Sequence, residues 1–411
     1  MRGRVAYCEV PKLAGVYTFA VNLAAQLPRF GYDLRLVGVG PQAKADYARG
    51  LSVLPAEILA PEARDFEPQR EALVGWLRRE SIDIVMISGS EAEHRLVPAL
   101  PESIRVVSVV NNATRGHYRV ATYGHERMHR LVCVSPRLRR DIIRGFGVPA
   151  EKTVLIPYGI NAGAYGRDAS SGEPGNGDSP LRLVYLGRMC DSAKGIFLIP
   201  RILARLDRAG VPFHLTVIGD GPDRERFASR MTAAGLASRW THKGMLRYDA
   251  VADELRHHDV MLMPSRHEGF GMVLVEAMAA GCVPVLSRIK GVTDYIVTSA
   301  DHGILCPVGR ASAFASAIAS LARDRGRLRR MSAAASARVR EAFTREEMAA
   351  RYAELFDAIR AEPPVGMTPR RRNGLRMPRW QPGRLAACRR AIPAPIKNWI
   401  RTACEQAGWT V

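Results

Sequence analysis

Short β-branched strands alternate with amphipathic stretches of helical length along most of the chain. A polar run from Gly166 to Pro180 interrupts them once. Arg4 to Val10 reads as a strand, Tyr17 to Leu27 carries helical apolar spacing, and Asp33 to Val39 is a strand again. Ile82 to Ile87, Arg105 to Val110 and Leu131 to Val134 continue the series. After the break come strand Leu181 to Leu186, helix Gly195 to Ala209, strand His214 to Ile218 and helix Asp223 to Ala234. Strand Val260 to Met263, an apolar helix and strand Val283 to Leu286 follow, then helices near Ala311 to Arg323, Leu328 to Ala342 and Arg345 to Ala361. Such repetition is the pattern of parallel sheets with crossover helices. Two blocks joined by a Gly/Ser/Asn/Asp/Pro linker predict an α/β chain of two Rossmann-like β/α/β domains facing across a cleft. The expected boundaries are 1–165 for the first domain, 166–180 for the linker and 181–345 for the second. Residues 346–362 read as a terminal helix packing back on the first domain, and 363–411 as a basic Arg/Pro-rich tail.

The stretch from Ser265 to Ser287 carries the clearest chemistry. Two carboxylates, Glu268 and Glu276, stand eight positions apart, with the turn Gly269, Phe270, Gly271 between them. The turn opens an apolar helix that stops at Gly281. A helix N-terminus presents free amides and a positive dipole end to a diphosphate. Carboxylates accept hydrogen bonds from sugar and ribose hydroxyls. Upstream, Gly187 and Arg188 end a strand, and Lys194 with Gly195 opens the next helix. An arginine fork and a mobile lysine there can grip a diphosphate and neutralise it as a glycosidic bond breaks. Gly219 and Gly221 form a small-residue turn after the strand ending at Ile218, read either as room for a nucleotide or as a plain turn.

In spacing, in the Gly-Phe-Gly turn and in the Glu-Ala-Met-Ala-x-Gly-x-Pro-Val tail, this stretch resembles the Glu-x7-Glu motif of retaining, GT-B-fold glycosyltransferases of family 4. The resemblance covers roughly residues 1–361 and is stronger in the second half. It implies that Glu268 contacts the donor sugar, Glu276 the ribose, Phe270 and Gly271 the phosphates through backbone N–H groups, and Arg188 and Lys194 the leaving diphosphate. Gly187, Gly219 and Gly269 fall on the family's nucleotide-side turns, and His242, Lys243 and Gly244 on its segment beside the nucleobase. Gly15 keeps one glycine of the family's loop between first strand and first helix, where Ala14 replaces the other. Asp294 stands where the family has a glutamate. Many members place a histidine just after the strand that is here Arg105 to Val110. This chain has Asn111 and Asn112 there, and the next histidine is His117. Either Asn111 keeps the sugar hydrogen bonds without titrating, or His117 reaches the site from a shifted loop. The implied reaction moves a hexose from a nucleotide diphospho-sugar to a glycan or lipid-linked hydroxyl, in polysaccharide, lipopolysaccharide or other glycoconjugate synthesis, with the C1 configuration retained. No other cofactor is implied, and no Asp-x-Asp triplet near a strand end suggests a metal.

Composition adds a second theme. Lys and Arg number 60 against 40 Asp and Glu, a formal charge of +20. From Gly366 to Val411 ten basic residues face a single acid, Glu405, with Trp380 and Trp399 among them. Cations beside interfacial aromatics suit an anionic membrane surface, and Ile396 to Cys404 has the pattern of one short helix. A partnerless extension, or a nucleic-acid adaptor with a vestigial fold, is the competing reading of the tail; no nucleic-acid motif supports the latter. Another GT-B reaction, epimerase or phosphorylase, is the competing reading of the fold. Seven cysteines without a Cys-x-x-Cys pair, several in apolar runs, fit a reduced compartment. With no leader-like start and no long apolar run, a cytoplasmic protein, peripheral on the inner membrane face, is expected.

Overall fold

The computed structural model describes residues 2–9, 15–43, 55–89, 91–166 and 179–366. The stretch 10–14, most of the 166–180 linker and the basic tail, with the short helix expected there and Trp380, Trp399 and Trp409, lie outside these residues. The described residues divide into two compact units: those up to Gly159 together with 345–366, and Ile160–Thr344. The first division therefore falls at Ile160, ahead of the linker.

In chain order the first unit contains β1 (Gly3–Cys8), α1 (Gly15–Gln26), β2 (Tyr32–Val39), β3 (Ala56–Leu59), α2 (Phe66–Arg79), β4 (Ile84–Ile87) and the single turn α3 (Glu91–His94). It continues with β5 (Arg105–Val110), α4 (Arg115–Ala121), β6 (Arg130–Cys133), α5 (Pro136–Phe146) and β7 (Thr153–Leu155). Its sheet is ordered β3-β2-β1-β4-β5-β6-β7 with parallel neighbours. The second unit contains β8 (Leu181–Leu186), α6 (Asp191–Lys194), α7 (Leu198–Arg208), β9 (Phe213–Ile218), α8 (Arg224–Ala233), β10 (Trp240–Gly244), α9 (Tyr248–Arg256) and β11 (Val260–Met263). Then come α10 (Met272–Ala279), β12 (Val283–Ser287), α11 (Thr293–Ile296), β13 (Ile304–Cys306), α12 (Ala311–Arg323) and α13 (Arg325–Ala342). Its sheet, β10-β9-β8-β11-β12-β13, is again all parallel.

Both sheets are doubly wound. The strand order reverses between β1 and β4 in one and between β8 and β11 in the other. Open parallel sheets bind ligands outside the carboxyl ends of the strands at such a reversal. The central strands are buried on both faces, which explains their continuous apolar runs: every residue of β4 and of β11 is buried. Cys8, Cys133 and Cys282 are buried and not in disulfides, as their apolar neighbours suggested.

A last helix, α14 (Arg345–Ala361), belongs to the first unit. Its apolar face stacks Tyr352 and Phe356 against Phe19 and Tyr32, with ring centroids 5.8 and 5.2 Å apart. Tyr32 also donates to Asp357 (2.7 Å). The carbonyls at the end of α14, which no helical N–H can reach, are taken by Arg105, whose guanidinium bonds Ile359 O (3.2 Å) and Glu362 O (2.8 Å). Arg130 pairs with the Glu362 carboxylate. Among the described residues no helix is long and apolar enough to cross a membrane.

Candidate functional site

At the reversal point of the second sheet, the loop after β8 and the loop after β11 lie side by side. Lys194, the last residue of α6, extends its ammonium to Glu268 Oε1 at 2.6 Å. The same oxygen accepts the Ser265 hydroxyl at 2.7 Å. Glu268 is 8% exposed, and the lysine side chain retains 26%. A buried carboxylate is thus paired with one cation and one hydroxyl, in a place where the lysine can turn to another anion. Arg188, two residues beyond the end of β8, is exposed, and among the described residues no carboxylate pairs with it. Its carbonyl is fixed by the Tyr185 hydroxyl (2.9 Å).

Four positions after Glu268, α10 begins at Met272. Gly271 precedes it with φ 104° and supplies no side-chain cap. The first amides of a helix have no carbonyl partner within it, so its N-terminus can take an anion. Phe270 does more than offer an amide: its ring is buried against Phe343, centroids 5.9 Å apart, and anchors the turn. Gly269 is half-buried between them. The helix is apolar nearly all round and buried. Ser332 and Ser336 of α13 donate to Gly281 O (2.6 Å) and Ala279 O (3.0 Å), closing its C-terminal end.

Glu276 is the one charged residue of α10 and is 5% exposed. Burial raises its carboxyl from 4.5 to about 7, against a smaller lowering by a hydrogen bond from Tyr165. Tyr165, itself buried, ends the one-turn 3-10 segment Ala162–Tyr165. A carboxylate in an apolar helix that is half ionised near neutrality needs a hydroxyl-bearing ligand or a proton.

Gly219 has a reason the sequence did not show. A Cβ there would fall 2.2 Å from the Gly187 carbonyl oxygen, and φ is 119°. His242 Nε2 also donates to Gly219 O (2.8 Å). The glycine serves the close approach of the loops after β8 and β9. Gly219→Ala is expected to cost roughly 3 kcal/mol and lower the melting temperature by about 6–12 °C, the size typical of backbone strain plus overpacking. Gly210→Ala, also at positive φ (66°) but facing open space, is the control and should cost about 1 kcal/mol. Equal melting temperatures for the two variants would refute the backbone-approach account.

Asp294 does not face outward freely: its Oδ1 accepts the Gly291 N–H at 2.6 Å and closes the turn into α11. In the first unit, the ends of β1, β4 and β5 bring together Glu9, Ser88, Asn111 and His117. Tyr7 donates to Glu9 Oε2 (3.1 Å) and the Asn111 side-chain amide donates to Ser88 Oγ (2.8 Å). His117 Nε2 accepts the Asn111 backbone N–H (3.3 Å). Burial, helped by His94, lowers its imidazole to about 4, so the ring is neutral near pH 7 with its proton on Nδ1. Asn111 and His117 are therefore neighbours in one network. Gly15 opens α1, and the loop before it is outside the described residues.

Two family models match the chain in succession: "Glycosyltransferase Family 4" over residues 13–163 and "Glycosyl transferases group 1" over residues 167–338. The chain is a family-4 glycosyltransferase of the GT-B fold. This glycosyltransferase is 28% identical, over 89% of its length and 98% of the relative's, to a GDP-mannose-dependent alpha-(1-6)-phosphatidylinositol dimannoside mannosyltransferase of Mycobacterium tuberculosis. It is 25% identical, over 79% and 86%, to a D-inositol 3-phosphate glycosyltransferase of Kineococcus radiotolerans. In fold it is similar to sucrose-phosphate synthase of Thermosynechococcus elongatus (TM-score 0.72, 18% identity, 87% and 99% covered). It is also similar to Anabaena HepE solved with UDP and glucose (TM-score 0.70, 18%, 87% and 100%).

Of the residues singled out in the glycosyltransferase sequence, the second unit brings Lys194 and Glu268 into contact and sets Arg188 exposed on the same loop as Lys194. It places Glu276 one turn into α10. Three residues that shape this region were not singled out: Tyr165, Asp191 and Arg266. Only Arg266 lay inside the quoted motif, and nothing in its spacing marks it.

Proposed function

We propose that the protein is a retaining hexosyltransferase that takes a nucleotide diphospho-sugar as donor and a hydroxyl of a glycan or lipid-linked polyol as acceptor. The observation that carries this is the Lys194–Glu268 pair, 2.6 Å apart at the reversal point of the second sheet, beside the uncapped N-terminus of the helix that holds Glu276. Glu268 is placed to accept from a donor-sugar hydroxyl and to oppose positive charge developing at C1. Glu276 takes the ribose hydroxyls. Lys194, released from Glu268 or shared with it, meets the β-phosphate together with Arg188 and the first amides of α10, so protein cations rather than a metal carry the diphosphate. Retention follows if the departing phosphate accepts the proton of the incoming hydroxyl on the face it leaves. No separate base is then required. The mannosyltransferase similarity over nearly both full lengths puts GDP-mannose first among donors to try.

The test is a thermal-shift series with UDP, GDP and ADP and their hexose conjugates, followed by proton NMR of the product made with the stabilising donor. A ligand that binds only the folded state at a hundred times its Kd stabilises by about 2.7 kcal/mol. One nucleotide class raising the melting temperature, and an α-product from an α-donor, is the expected result. No shift with any nucleotide, or an inverted anomer, would overturn the reading.

A further inference from the structure

The loops that carry Lys194 and Glu268 are joined by a second, more buried pair. Arg266 reaches Asp191 twice: Nε donates to the Asp191 carbonyl at 3.1 Å and Nη2 to Oδ2 at 3.3 Å. The side chains are 14% and 9% exposed. The other carboxylate oxygen of Asp191 accepts the Phe197 N–H (2.9 Å), and its own N–H donates to Asp223 Oδ2 (2.8 Å). Main-chain bonds run the same way, from Arg266 N to Ala193 O (2.8 Å). A Cβ on Gly195 would meet Pro264 O at 2.2 Å, so the two loops touch at backbone distance.

A helix of four residues does not hold itself, because nucleation fixes several dihedrals for one hydrogen bond. The turn that ends in Lys194 is therefore held from outside, and Arg266 is the side chain that spans from the opposite loop. On one side of the clasp Lys194 follows Asp191 by three residues; on the other Glu268 follows Arg266 by two. We infer that Asp191 and Arg266 are positioning residues that set Lys194 against Glu268, and so fix the phosphate-side and sugar-side charges relative to one another. The functional half of this rests on the donor-site reading above. The geometric half does not.

Amine labelling tests both halves separately. The full chain is treated briefly with an amine-reactive acylating reagent under native conditions, and modification of Lys194 is measured by mass spectrometry relative to exposed Lys290. In the native protein Lys194 is shielded by its carboxylate. Arg266→Gln and Asp191→Asn should each raise its relative labelling about fivefold or more, the size of coupling between groups in contact. The double variant Asp191→Asn with Arg266→Gln should add little beyond either single change, and it removes both buried charges, which guards against simple unfolding. Arg266→Lys should restore part of the protection. Lys194 labelling unchanged in folded Arg266→Gln or in the folded double variant would overturn the positioning role. Addition of the stabilising nucleoside diphosphate to the native protein reads the donor site on its own: protection of Lys194 supports it, and no protection defeats that reading while leaving the labelling result on the clasp intact.

Discussion

Glu268→Gln should lower sugar transfer by roughly 10²–10³-fold, the size seen when one preorganised group facing transition-state charge is removed. Nucleotide binding should change by no more than a few fold. Glutamine keeps the shape and can still accept from Ser265, but it cannot oppose positive charge at C1. The fold should lose little. Lys194, a quarter exposed, can be solvated when its partner is gone, so the cost to stability should stay near 1 kcal/mol. Lys194→Ala is the companion. It should weaken the nucleoside diphosphate more than the nucleoside, because only the former carries the charge the lysine meets. Single-turnover transfer by Glu268→Gln within threefold of the native rate would remove Glu268 from the chemistry.

Glu276→Gln should do two opposite things, both of which depend on pH. In the folded chain the Glu276 carboxyl sits at about 7, in the unfolded chain near 4.5. Between these values the folded state binds the extra proton, so the native protein loses stability as pH rises through this window. Above it the deficit is complete, roughly 3 kcal/mol for a shift of about 2.5 units at 1.36 kcal/mol each. Glutamine has no charge to desolvate. Glu276→Gln should therefore melt higher than the native protein at pH 8, with the gap closing towards pH 4.5. At the same pH 8 it should bind the donor nucleotide about 10–100-fold more weakly, since a charged acceptor for the ribose hydroxyls is replaced by a neutral amide. A melting-temperature gap that does not vary with pH would refute the buried-carboxylate account, and equal nucleotide affinity would take Glu276 out of the ribose site.

The gain and the loss have one cause. A carboxylate in an apolar helix is a strained choice for folding and a good one for a ligand rich in hydroxyls. Selection for stability alone would replace it.

The central strands could be read from the sequence because they are mostly apolar, and the long helices because their apolar residues recur at helical spacing. Arg105–Val110, Leu181–Leu186, Val260–Met263, Ala311–Arg323 and Arg345–Ala361 have the same limits in the structure as in the sequence pattern. The strands that escaped, Ala56–Leu59, Thr153–Leu155 and Trp240–Gly244, are all sheet edges. An edge strand is half exposed and carries polar residues, as Trp240–Gly244 does with Thr241, His242 and Lys243, so it has no continuous apolar run to detect. The helix expected from Gly195 starts later, at Leu198, because Gly195 ends the preceding turn with φ 62°.

The site divides along a similar line. Lys194, Glu268 and Glu276 stand in local motifs. Asp191 and Arg266 meet across 75 positions, only because β8 and β11 lie side by side, with Leu183 opposite Val260. The sequence could not order the strands, so it could not pair these residues. Tyr165 belongs to the same class: its short turn packs on α10 from beyond the end of the first unit.

The placement of α14 has a consequence for how the chain is made. The first unit starts at the N-terminus yet needs residues 345–361 to cover Phe19 and Tyr32. Among the described residues the second unit is contiguous. During translation the later-encoded body is complete while the earlier one still lacks its final helix, and the aromatic face of α1 and β2 waits open on the ribosome for as long as residues 160–344 take to emerge. At about 5–20 residues per second that is on the order of ten to forty seconds, an interval in which nascent-chain chaperones have an exposed apolar surface to hold.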